Sequence, residues 1–199
     1  MKKILLVLTV LALFTLVACT DEPETPVTPD DLIVTPEYNS RFDNTVEEAA
    51  ACYFSLLTED GFGNYLLAFP DEFVNGYQRE LEYDDATFQE AIDNATYTLH
   101  TNRDDKYLGY EFHLDYSHLE EREITGDEKT NLIKDLAAYC YMTPSTIEKV
   151  VEHTYNVETY GLDVTNDEIY VHEQENKKLV MLYISQAGWY VSPTNFELP

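Results

Sequence analysis

The sequence predicts an α+β fold in which N-terminal helices pack on a curved, mainly antiparallel sheet. Apolar residues recur at helical spacing between residues 45 and 101, then alternate residue by residue from 108 to 116, and form strand-like runs over the last third of the chain. Helices first and long strands last set the helices on one face of a single sheet. A hydrophobic share of 44 % with 25 % charged residues is that of a globular chain, and 199 residues suffice for one domain with extras.

The first element is an address rather than part of the fold. Met1-Lys2-Lys3 precedes an apolar-plus-Thr run from Ile4 to Ala18, the n-region and h-region of an export signal. The run is shorter than the roughly 20 residues that a membrane-spanning helix needs. Leu16-Val17-Ala18-Cys19 closes it and resembles the lipobox of bacterial lipoprotein precursors. The resemblance implies a signal peptide at 1–18 and a diacylglyceryl group, with further acylation by a palmitate-type chain, on Cys19. It thus implies a lipid-anchored protein on the extracytoplasmic side of the cell membrane. Two or three acyl chains make an anchor that one does not, each buried CH₂ contributing about 0.8 kcal/mol.

Residues 19–40 read as a tether. Between Thr20 and Ser40 lie Pro23, Pro26, Pro29 and Pro36, six acids and no Lys or Arg. Such a segment buries too little apolar surface to offset ordering, and its prolines favour an extended spacer. At about 3.1 Å per residue it reaches roughly 60 Å.

Residues 41–199 form the single α+β domain. Thr45-Val46-Glu47-Glu48 has the capping-box spacing, followed by Val46, Ala50, Tyr53 and Leu57 on one face and Gly61 as terminator. Asn64 to Glu82 reads as helix in two pieces broken at Pro70. Asp85 to Thr101 carries the stripe Phe88, Ala91, Ile92, Ala95 and Leu99. Leu108, Tyr110, Phe112, Leu114 and Tyr116 then alternate with polar residues as a half-buried strand. A second box, Thr125-Gly126-Asp127-Glu128, opens a helix bearing Leu132, Ile133, Leu136 and Cys140, and Thr143-Pro144 starts a short turn. Val151, His153, Tyr155 and Val157 share one face of a strand. Ile169–His172 is predicted as a short strand, with Asn176-Lys177-Lys178 before a separate, central strand Leu179–Ser185. Ala187-Gly188 turns the chain into Trp189–Ser192.

This layout is similar to the nuclear-transport-factor-2-like, or cystatin-like, α+β cone superfamily, and within it to uncharacterised bacterial lipoproteins that carry the cone behind a lipobox. The residues that carry the resemblance are Thr45-Val46-Glu47-Glu48-Ala49-Ala50 at the first helix and Gln186-Ala187-Gly188-Trp189-Tyr190-Val191 at the closing hairpin. The chain departs from the plainer members in its helix from Gly126 to Met142, inserted between strands. The resemblance implies a cavity between sheet and helices, which in the superfamily's enzymes holds polar residues that polarise a carbonyl or move a proton.

Charge and motifs narrow the chemistry. With 12 Lys+Arg against 38 Asp+Glu, a net charge of −26, the chain is no binder of nucleic acid, which needs cations against phosphates. A serine elbow, a phosphate-cradling Gly-rich loop and a His-Glu-x-x-His helix are all missing, so no catalytic residue, cofactor or metal set is assigned. His172-Glu173-Gln174-Glu175-Asn176 reads as a solvated turn. Asp163 to Glu168 alternates oxygens but lacks the glycine and the closing glutamate of a calcium loop. His113 and His118 fall on opposite strand faces, so spacing groups no histidines. His153, on an apolar face with Tyr155, is read two ways, as a hydrogen-bonded core residue or as a cavity residue. Cys52 and Cys140, each flanked by small residues, are a disulfide pair or two small buried side chains. The expected function is a membrane-anchored, non-catalytic domain that binds a small ligand or an envelope protein. The alternative is an isomerase of the ketosteroid type working in the cone cavity, which needs His153 to meet a buried carboxylate.

Overall fold

The computed structural model describes residues 45–58, 61–163, 165–166 and 168–197. The expected signal peptide at 1–18, Cys19 and the expected tether to residue 40 lie outside the described residues. Thr45 opens α1 (Val46–Phe54) through the expected box: its hydroxyl accepts from Glu48 N at 3.1 Å, and Glu48 Oε2 accepts from Thr45 N at 3.0 Å. Gly61 does not end this helix. It begins α2 (Gly61–Leu66), because the orphan N–H of Phe62 finds Thr96 Oγ1 at 3.1 Å, and a Cβ at position 61 would collide with the same threonine.

Pro70 separates α2 from α3 (Asp71–Glu80), as expected. The next helix, α4 (Asp85–Tyr107), begins where predicted, with Asp84 Oδ1 accepting from Thr87 N at 2.8 Å. It outruns its predicted end at Thr101. Arg103 reaches back to Leu57 O at 2.9 Å and Tyr107 is buried against Phe112, so the last turns are tied down by tertiary contacts. Leu108, expected in the strand, instead caps the helix in the left-handed region at φ 55.

Four strands follow in a meander of order β1-β2-β3-β4: β1 (Glu111–Glu123), β2 (Ile147–Asp163), β3 (Glu168–Ile184) and β4 (Gly188–Val191). All three pairings are antiparallel, and the sheet is strongly curled, giving an α+β cone-like fold. The two strands predicted within residues 169–185 are one. Asn176, Lys177 and Lys178 stay in the ladder opposite Asn156, Tyr155 and Thr154, so His172 to Asn176 is also strand and not a turn.

Between β1 and β2 lies α5 (Gly126–Tyr139), preceded by a box that does not form. Glu128 is held by Arg122 through two bonds of 2.8 and 2.9 Å, and Thr125 makes no side-chain cap. Pro144–Thr146 makes the expected short turn.

The helical layer sits on the sheet through aromatics. Phe54 of α1 packs on Tyr116 and Tyr155 with ring centroids 4.5 and 5.3 Å apart. Phe196 plugs the other side, 5.1 Å from Phe73 and 5.3 Å from Phe69. The free edge of β4 is covered because Val191 N donates to Ala68 O at 2.7 Å. Among the described residues no helix is long and apolar enough to cross a membrane.

Candidate functional site

The pairing of β1 with β2 slips by one residue between His118 and Glu120. Before the slip His118 stands opposite Tyr155; after it Glu121 stands opposite His153. Without a bulge, residues 118 and 121 would point to opposite faces. The extra residue, Leu119, puts both on the face that carries His153 and Tyr155. Two side chains of β1 and one of β2, more than 30 residues on, therefore converge.

His118 Nε2 lies 3.0 Å from His153 Nδ1, and Glu121 Oε2 lies 4.0 Å from His153 Nε2. One donor atom from each of the three residues falls within 4.8 Å of the other two. His153 is buried, 5 % exposed, while the Glu121 side chain is 69 % exposed. The nitrogen–nitrogen contact needs one ring to donate its N–H and the other to offer a lone pair, so it does not survive with both rings charged. Burial, reinforced by His118, pushes the His153 pKa below the ordinary histidine value; Glu121 and Glu47 pull the other way.

These residues line a half-open pocket of about 790 Å³. The capped first turn of α1 supplies Thr45, Val46 and Glu47 to one wall, with Ala50 behind them. Tyr116 and Tyr155 rise from β1 and β2, and the closing hairpin adds Tyr183 and Trp189, whose rings meet edge-on at 5.4 Å. Burial, then Glu47 and Tyr116, raise the Tyr155 hydroxyl to about 12, so it stays a neutral donor.

Of the residues singled out by sequence, His153 and Tyr155 both line this pocket. The carboxylate that meets His153 is Glu121, which sequence reasoning missed along with His118. It is exposed, whereas a cavity base of the isomerase type is buried. Cys52 and Cys140 are not joined to each other. Cys52 lies in α1 close to Tyr116, while Cys140 ends α5 beside Asp135 and Tyr141, where burial raises its thiol pKa. His113 faces away, stacked on Tyr160 at 5.2 Å, and Tyr160 donates to Asp115 at 3.1 Å. In the acidic loop the Asp163 carboxylate is taken up by Thr165 N at 2.9 Å and Asn166 Nδ2 at 2.8 Å. Comparison with protein-family models, with curated proteins and with solved structures finds no match to this chain.

Proposed function

We propose that the chain is a bacterial lipoprotein, anchored through Cys19 on the extracytoplasmic face of the cell membrane, whose cone domain is a non-catalytic binding module. The lipobox, the Pro-rich acidic spacer and the absence of a catalytic motif from the sequence support the anchoring and the binding role. The curled sheet with its helical cover fits the nuclear-transport-factor-2-like superfamily suggested by the two short motifs.

The observation that carries the binding reading is the pocket itself. Its volume of about 790 Å³ lies in the range of small-molecule sites, and its lining is aromatic with two acids, Glu47 and Glu121, among it. Tyrosine and tryptophan faces beside carboxylates attract organic cations, because ring quadrupole and charge act in the same sense. The exposure of Glu121 favours binding over the isomerase alternative, since a solvated carboxylate is a poor base.

Trp189 is the chain's single tryptophan and it lines the pocket, so its emission reports this site alone. Titration with benzyltrimethylammonium is expected to change that emission to saturation, with benzoate giving a much weaker response. Linear, non-saturating changes of equal size for both probes would remove the binding reading.

A further inference from the structure

We propose that His118, Glu121 and His153 form a binding site for a divalent transition-metal ion of the zinc type in the lining of the pocket. This deepens the binding-module reading, because the site is the same pocket and the ion is its most tightly held occupant.

The geometry argues first. Two imidazole nitrogens that share one zinc ion at about 2.0–2.1 Å each, with near-tetrahedral angles, lie roughly 3.3 Å apart. His118 Nε2 and His153 Nδ1 are already 3.0 Å apart. The third donor is within reach, since one atom from each residue lies within 4.8 Å of the others, and the exposed Glu121 side chain is free to swing inward.

The construction of the site argues second. A β-bulge serves to re-aim a side chain, and this one turns Glu121 onto the face of the histidines at the cost of a ladder irregularity. The Nδ1 of buried His153 faces the His118 ring rather than a carbonyl or carboxylate, while its Nε2 lies 4.0 Å from Glu121 Oε2.

The chemistry of the donors argues third. Two imidazoles and one carboxylate suit zinc, cobalt or ferrous iron, whereas magnesium and calcium prefer all-oxygen sets. Glu47, near enough to act electrostatically on both His153 and Tyr155, adds negative charge without occupying the set. Three protein ligands leave a coordination position facing the pocket, where water or a donor atom of a small ligand completes the shell.

The test uses the full chain in detergent and Zn²⁺ alone as probe, followed by calorimetry. One ion per chain at micromolar affinity or tighter is expected, undisturbed by millimolar Mg²⁺. His118→Ala and Glu121→Gln change exposed side chains and leave the fold in place by circular dichroism; each is expected to weaken Zn²⁺ at least tenfold. Co²⁺ bound in its place should show visible ligand-field absorption that His118→Ala abolishes. The proposal is overturned by absent binding, or by several weak ions that Mg²⁺ displaces and neither variant affects, the signature of a merely acidic surface. If benzyltrimethylammonium still saturates the Trp189 signal in that event, the metal is lost and the pocket stands; if neither probe binds, both readings fall.

Discussion

Gly76 lies in the interior of α3, a position where alanine ordinarily stabilises a helix by about 1 kcal/mol. Here a Cβ would run into the Tyr141 side chain at its Cβ and Cγ, the root of the residue rather than its swinging end. Tyr141 has little room to retreat. Its backbone sits at φ 60 and its hydroxyl donates to Glu80 at 2.9 Å. Gly76→Ala is therefore expected to lower stability by about 1–3 kcal/mol, the usual result of overpacking. Urea denaturation measures it, and a gain in stability would show that α3 does not carry the Tyr141 loop on its surface. The same local logic operates at Glu152, which binds Lys178 at 3.0 Å and Arg122 at 3.5 Å and whose carboxyl pKa is lowered chiefly by the Lys178 bond.

At the scale of elements, the two Thr-x-x-Glu boxes are a natural experiment. They read alike in the sequence, yet only Thr45 and Glu48 close on each other, while Glu128 is captured by Arg122 from the strand before it. Thr45→Ala is expected to cost about 1 kcal/mol, whereas Thr125→Ala should stay within about 0.5 kcal/mol. Equal losses measured by thermal or chemical unfolding would mean that both caps form in solution. The contrast shows what local sequence can carry. The helix starts at Thr45 and about Asp85, the break at Pro70 and the strand containing His153 were legible, because each depends on neighbours within a few residues. The length of α4 was not, since Tyr107 is held by Phe112 and Arg103 by a distant carbonyl. Nor was the continuity of β3, where polar Asn176-Lys177-Lys178 is kept in line by the partner strand. The candidate site was partly legible. Inward-facing His153 and Tyr155 follow from alternation, and His118 continues the face of Tyr116 opposite Tyr155, but Glu121 joins them only through a bulge at Leu119, a residue with no glycine or proline to mark it.

At the scale of the whole molecule, the net charge bears on the proposed anchor. Under the proposed processing, removal of residues 1–18 would take away Lys2 and Lys3 and no acid, leaving 10 Lys+Arg against 38 Asp+Glu, a charge of −28. A body so anionic, with no polybasic patch, is repelled by acidic headgroups and has no electrostatic grip on a membrane. It gathers cations instead, which suits a pocket lined in part by Glu47 and Glu121. Under the proposed anchoring, membrane residence then depends entirely on the acyl chains of Cys19, each contributing in proportion to its buried CH₂ groups. Cells fed a fatty-acid analogue should label the wild-type chain and keep it in the membrane fraction through a high-salt wash, which strips proteins held only by charge. Cys19→Ala should carry no label and leave the membrane fraction. Equal labelling of the two forms would disprove acylation at Cys19, and release of wild type by salt would show that surface charge, against its sign, does the holding.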